Sequence, residues 1–180
     1  QFANINQGVA AGERIFTIID TESEVKDSDN ATEFDGLKEA IELRNVHFSY
    51  DGEREVINDV SIKIKKGQTI ALVGPSGGGK STLSELIPRF YDVNAGEILF
   101  DGKSIKDYTQ ESLRSKMSIV SQDTVLFNDS IEGNILMGRP TATHEEVVAA
   151  CKVANAHGFI SEASEGYDTN IGDRGTKLSG

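Results

Sequence analysis

At 180 residues the chain is long enough for one domain with its own core, or for one domain and an appendage. With 37% hydrophobic and 26% charged residues it is too apolar for wholesale disorder, and no window approaches the roughly 18 apolar residues of a membrane span. Acidic residues outnumber basic ones 29 to 18, and a net charge of −11 repels phosphate backbones and anionic headgroups, which argues against a nucleic-acid or membrane-surface binder.

The single cysteine, Cys151, cannot form an internal disulfide, which suits a reducing compartment. It follows the apolar stretch Val147-Val148-Ala149-Ala150 and reads as a small buried side chain. The N-terminus has no basic region leading into an apolar run, so neither secretion nor self-insertion is expected of this sequence.

Phe2, Ile5, Val9, Gly12, Phe16 and Ile19 recur at helical spacing, predicting one apolar helix stripe over residues 1–20 that begins without a cap, as though continuing something longer. Residues 21–39 are polar and acidic and read as a linker, with a domain expected over 40–180. Ile41, Leu43, Val46 and Phe48 predict a strand whose alternation slips at Arg44-Asn45, and Asp51-Gly52 marks a turn. Val60, Ile62 and Ile64 alternate with polar neighbours as in a half-buried strand. Thr69 to Val73 is apolar without alternation, as expected of a strand buried on both faces. A glycine-rich loop follows, then a helix from Lys80 to about Phe90. Ile98-Leu99-Phe100 ahead of Asp101-Gly102 predicts another strand and turn, and Met117 to Ser121 a second buried strand. Helices are expected over 143–154 and 156–164. Strands that repeatedly precede helices place the chain in the α/β class, with extra antiparallel strands at the front.

The segment Gly74-Pro75-Ser76-Gly77-Gly78-Gly79-Lys80-Ser81-Thr82 fits G-x-x-x-x-G-K-[ST], the phosphate-binding P-loop. Glycines let successive backbone N–H groups turn inward into an anion-binding nest, and the following helix adds its partial positive charge. Lys80 has the reach to meet the β- and γ-phosphates of a nucleotide, and the Ser81 hydroxyl to join a Mg²⁺ shell. A chance match of this kind is expected in roughly one chain in a hundred of this length, and the strand-like run before it and helical run after it lower that further.

Further segments carry a family resemblance. Asn45-Val46-His47-Phe48-Ser49-Tyr50 resembles the A-loop of ATP-binding cassette (ABC) ATPases, in which an aromatic residue, here Tyr50, stacks on adenine. Ser118 to Asp123 resembles the Q-loop, whose glutamine, here Gln122, contacts Mg²⁺ and the attacking water. The run Leu126-Phe127-Asn128-Asp129-Ser130-Ile131-Glu132-Gly133-Asn134-Ile135 is similar to the L-F-x-x-[ST]-I-x-x-N-I stretch of exporter cassettes. Gly166 to Gly175 resembles the exporter segment that lies near the coupling helices of the membrane domain, with Asp173 where many members carry glutamate. Leu178-Ser179-Gly180 looks like the opening of the L-S-G-G-Q signature, which grips the γ-phosphate held by a partner cassette. The P-loop departs from many exporters in having Gly78 where they carry serine, a change that preserves the backbone nest.

The resemblance spans nearly the whole chain and implies a P-loop NTPase core with an N-terminal antiparallel β subdomain and part of a helical subdomain, an incomplete ABC nucleotide-binding domain. Residues 1–20 are similar to the cytoplasmic end of the last transmembrane helix of exporters. By resemblance ATP sits on Tyr50, Ser76, Gly77, Gly78, Gly79, Lys80, Ser81 and Thr82, with Ser179 and Gly180 from the signature. Ser81 and Gln122 hold Mg²⁺, and Lys80 and Gln122 serve hydrolysis. The family's Walker B aspartate, its catalytic glutamate and its switch histidine fall downstream of the signature, so the 180 residues by themselves are expected to bind ATP without turnover. The implied partners are a second nucleotide-binding domain, in a homodimer, and transmembrane coupling helices, with no nucleic acid. The implied place is the cytoplasmic face of the plasma (inner) membrane, exporting a lipid or drug-like substrate. The alternatives are a soluble P-loop NTPase and a non-transport ABC ATPase. Tyr50 ahead of the loop, the run after Gln122 and Leu178-Ser179-Gly180 weigh against the first; the acidic balance, the N-terminal helix and the same run weigh against the second.

Overall fold

The computed structural model describes residues 12–121 and 125–177, which divide into two compact units at Ser118/Ile119. In chain order the first unit contains a helix α1 over 12–19, strands β1 (Ala40–Phe48) and β2 (Ile57–Lys65), helix α2 (Lys80–Leu86), strands β3 (Ala95–Phe100) and β4 (Lys103–Ser104), and the short helix α3 (Gln110–Arg114). The four strands form one antiparallel sheet in the order β2-β1-β3-β4.

The irregular alternation in β1 has a structural counterpart. Pairing with β2 shifts register between Leu43 and Val46, and Asn45 adopts a left-handed φ of 44°. This bulge lets both Leu43 and Val46 face the core although they are three residues apart. Gly96 on β3 lies against it with a φ of 77°, and a Cβ there would come within 2.1 Å of the Asn45 carbonyl oxygen, so only glycine fits the approach.

Leu83 and Leu86 of α2 are three residues apart on one helix face and meet Leu43, Val46, Phe48, Ile57, Ile98 and Phe100 of the sheet, with Leu113 of α3 in the same core. The acidic stretch before β1 takes part in the packing. Phe34 is buried edge-on against Phe100 and Tyr108, with ring centroids 5.3 and 5.1 Å apart, and Val25 is buried as well. Several hydrogen bonds tie the stretch down, those of Asp101 and Arg89 among them. The Asp101 carboxylate accepts the backbone N–H groups of Lys38, Glu39 and Ala40 at 2.7, 2.7 and 2.9 Å. Arg89, 3% exposed, donates to the Lys26 carbonyl oxygen at 2.9 Å and pairs with Asp92 through Nε at 2.9 Å.

Two expected strands take another form. Residues 69–73 and 117–121 have no regular secondary structure, and Val73 and Val120 are 91% and 95% exposed. A strand buried on both faces needs a hydrogen-bonded neighbour and a covering layer. Among the described residues none pairs with 69–73, so its apolar run lies open. In α1 the side chains of Phe16 and Ile19, part of the expected stripe, are likewise exposed; the first half of that stripe, residues 1–11, lies outside the described residues.

The second unit contains helices α4 (Ile131–Leu136), α5 (His144–Val153) and α6 (His157–Glu162); the last two lie close to the helices expected over 143–154 and 156–164, and α4 is an addition. Its core joins Ile131, Val147, Cys151, Ile160 and Ile171. Thr143 starts α5 with a capping box: its hydroxyl accepts the Glu146 N–H while the Glu146 carboxylate accepts the Thr143 N–H. Cys151 is buried, as its apolar surroundings indicate.

Candidate functional site: a glycine-rich loop at the start of a helix

Between β2 and α2 the chain runs through the glycine-rich loop and enters α2 at Lys80. Gly77 and Gly79 both have left-handed φ values, 76° and 75°. Gly79 is the N-cap of α2, and no side chain caps the first turn, which leaves that turn's N–H groups for a ligand. Gly79 is also wedged against the start of β2: a Cβ there would lie 2.8 Å from the Val56 carbonyl oxygen and 2.7 Å from Ile57 Cδ1. At Gly78 the φ is ordinary and the nearest contact of an added Cβ is Pro75 O at 3.1 Å. Pro75 closes the turn by accepting the Gly78 N–H at 3.2 Å.

Lys80 curls back over this loop. Its Nζ donates to the carbonyl oxygens of Gly74 and Pro75, at 3.0 and 2.7 Å. The ammonium therefore stands at the loop with no carboxylate beside it among the described residues. Ser76 and Ser81 are exposed, whereas Thr82 is buried beneath the helix start. A loop with left-handed glycines at 77 and 79, open N–H groups and an ammonium with no carboxylate beside it suits a polyphosphate, and the exposed Ser81 hydroxyl is placed to enter a hydrated Mg²⁺ shell. Among the described residues no group of three His, Cys, Asp or Glu side chains converges as a metal cage.

Tyr50 stands next to this helix. Its ring meets Phe48 and Tyr91 edge-on, with centroids 4.8 and 5.1 Å away, and the residue is 52% exposed. Its hydroxyl lies 3.0 Å from Thr82 Oγ1 and 3.2 Å from Glu85 Oε2. The Thr82 hydrogen bond on its own favours the phenolate, but burial and the Glu85 charge outweigh it and raise the Tyr50 pKa. The sequence assigned no role to Glu85. It sits five residues after Lys80 on α2, a spacing that matches no phosphate-site pattern, and only the folded chain brings it to Tyr50.

In the second unit the two exporter-like segments, read separately in the sequence, lie together. Ile131 N donates to Thr169 O and Ile171 N to Asp129 O, each at 3.0 Å, and Ser130 bridges Asn170. Within the first segment Ser130 caps α4 by accepting the Gly133 N–H at 2.9 Å. Asn134 then closes the turn: its carbonyl accepts the Phe127 N–H at 2.8 Å and its amide donates to Phe127 O at 3.1 Å. The Ser and Asn of that pattern are thus local clasps. Each histidine has a nearby partner: His47 with Glu55, His144 with Glu132 and His157 with the Tyr167 hydroxyl. Gln122, Ser179 and Gly180 lie outside the described residues.

Comparison with known proteins agrees with this geometry. The sequence pattern of the ABC transporter family matches residues 57–180. YgaD of Bacillus subtilis, which its name assigns to multidrug export as an ATP-binding/permease protein, is 49% identical over 177 residues, 98% of this chain and 30% of its own length. A Staphylococcus aureus protein with the same kind of name, SAB1799c, is 50% identical over 167 residues, 92% of this chain and 29% of its own. A bacterial Atm1-family ABC exporter solved with ATP bound superimposes with a TM-score of 0.86 at 45% identity, covering 99% of this chain and 31% of that one. The chain spans about 30% of the length of the curated relatives it matches. With the family's pattern running through the glycine loop, α2 and the second unit, this chain belongs to the ABC transporter family.

Proposed function

We propose that this chain is the nucleotide-binding part of an ATP-driven exporter, binding ATP at the loop from Gly74 to Thr82 and, within the full-length protein, hydrolysing it to move a drug-like or lipid substrate across a membrane. The observation that supports this most directly is the glycine loop, where Gly77, Gly79 and an unpaired Lys80 ammonium make a cradle for a polyphosphate. On this reading Lys80 exchanges the carbonyl oxygens of Gly74 and Pro75 for anionic phosphate oxygens, so that both partners of the bond carry charge. Ser76, Gly77, Gly78 and Gly79 supply backbone donors, Ser81 holds Mg²⁺, and Tyr50 offers its exposed ring to adenine. Mg²⁺, when bound, neutralises charge on the β- and γ-phosphates. The names of the relatives, with their ATP-binding and permease parts in one protein, support the export reading.

Residues 1–20 then continue a transmembrane helix, 21–39 connect it, and 40–180 form the first part of the nucleotide-binding domain at the cytoplasmic face of the plasma membrane. Among the described residues no helix is long and apolar enough to cross a membrane. The segment 166–175, which pairs with 126–135, lies near the coupling helices by its resemblance. Gln122 contributes to the Mg²⁺ and water site, and Ser179 and Gly180 reach the nucleotide held by a second copy, roles that rest on the sequence resemblance. The test is calorimetric Mg²⁺-ATP binding and phosphate release by the full-length protein beside its Lys80→Ala variant. Binding and turnover that depend on Lys80 support the reading; full-length folded protein that binds ATP equally without Lys80 overturns it.

A further inference from the structure

Tyr50 is held from two sides, and the second includes Glu85, which is not part of the proposed nucleotide site. Phe48 and Tyr91 meet its ring edge-on, while its hydroxyl reaches Thr82 Oγ1 at 3.0 Å and Glu85 Oε2 at 3.2 Å. A phenol has one proton, and a carboxylate can only accept, so the proton of Tyr50 goes to Glu85. Thr82 must then donate to the tyrosine oxygen. The result is a directed chain, Thr82 to Tyr50 to Glu85, that anchors the ring to α2, the helix that begins at the glycine loop. An aromatic ring at 52% exposure with only edge contacts to its neighbours is otherwise free to turn about its own side-chain torsions.

The geometry points to Glu85 as a positioning residue that sets the orientation of the Tyr50 ring for the nucleotide base, coupling the base platform to the helix of the phosphate loop. This rests on the reading of the glycine loop and Tyr50 as an ATP site. Glu85 touches no part of the nucleotide; it acts through the phenol. Its removal therefore weakens what the ring holds and leaves the phosphate cradle unchanged.

The experiment measures binding of ATP and of inorganic tripolyphosphate, which has no base, to the full-length protein and to its Glu85→Leu, Glu85→Gln, Tyr50→Phe and Tyr50→Ala variants. Glu85→Leu is expected to weaken ATP by roughly three- to tenfold, the scale of one partly exposed hydrogen bond to a charged group, with tripolyphosphate affinity unmoved. Glu85→Gln, whose amide oxygen still accepts the phenolic proton, is expected to restore most of the loss. Tyr50→Phe is expected to match Glu85→Leu, and combining the two to add nothing further. Glu85→Leu protein that binds ATP as wild type does, or that loses ATP and tripolyphosphate in equal measure, overturns the role of Glu85 while leaving the ATP site standing. Undiminished ATP binding by Tyr50→Ala overturns the base platform itself, and the role of Glu85 with it.

Discussion

Two adjacent glycines of the phosphate loop should respond very differently to one added methyl group. At Gly79 an alanine must adopt a φ of 75°, which costs an L residue about 1–2 kcal/mol. Its Cβ would also stand 2.8 Å from the Val56 carbonyl oxygen, and backbone cannot swing aside as a side-chain end can. Overpacking of that kind adds about 1–3 kcal/mol, so Gly79→Ala is expected to cost about 2–5 kcal/mol. At Gly78 the φ is ordinary and the closest approach is 3.1 Å to Pro75 O, which a shift of a few tenths of an ångström relieves; Gly78→Ala is expected to cost under about 1 kcal/mol. The Gly79 cost can appear in either of two places. If the fold resists, the unfolding midpoint falls. If the start of α2 moves off Val56 instead, the loop's N–H groups lose alignment and ATP affinity falls, by about thirtyfold for the lower bound of about 2 kcal/mol. Thermal unfolding and ATP titration of both variants, run in parallel, separate the outcomes. Gly79→Ala protein indistinguishable from wild type in both, or Gly78→Ala the worse of the two, would refute the reasoning.

Three further perturbations test the scaffold around the site. Burial alone would raise the Asp101 pKa, but the N–H groups of Lys38, Glu39 and Ala40 outweigh it and hold the carboxyl below its ordinary value; its contribution is therefore full above the unfolded value near 4 and lost as pH falls through the lower folded value. Asp101→Asn should cost about 1–2 kcal/mol at neutral pH and flatten the acid limb of a stability-against-pH curve. Arg89→Leu removes the bonds to Lys26 and Asp92 and should cost about 3 kcal/mol, with trypsin cutting after Lys26 sooner than in wild type. Thr143→Ala deletes one half of the capping box on α5 and should lower stability by about 1 kcal/mol in denaturant unfolding.

The parts of the fold legible in the sequence are those decided by a residue and its near neighbours. The slipped alternation at Arg44-Asn45 is the bulge of β1, the half-polar run from Val60 to Ile64 is a half-buried strand, and the helices expected over 143–154 and 156–164 are α5 and α6. The G-x-x-x-x-G-K-[ST] spacing likewise has a largely local cause, because the left-handed φ values of Gly77 and Gly79 favour glycine whatever packs beside them. What was not legible depends on what stands opposite. The apolar run from Thr69 to Val73 has the composition of a doubly covered strand, yet composition names no neighbour, and among the described residues the run has none. Asp101-Gly102 reads as a turn, but nothing near it in sequence reveals that its carboxylate gathers three N–H groups some sixty residues earlier in the chain.

The same distinction applies inside the candidate site and explains why it was only half readable. The proposed phosphate side is a contiguous segment, so its chemistry is written in one line of sequence. The proposed base side is assembled from Phe48, Tyr50, Thr82, Glu85 and Tyr91, residues on different elements that meet only after β1 and α2 pack through Phe48, Leu83 and Leu86. That packing is apolar and tolerant of exchange among side chains of similar volume, whereas the Tyr50 hydroxyl chain accepts few substitutes. A change in Leu83 or Leu86 that keeps volume should therefore leave the base side intact, and one that opens a cavity should disturb Tyr50 at a distance. The core is in this sense part of the site, since it fixes where the two segments meet.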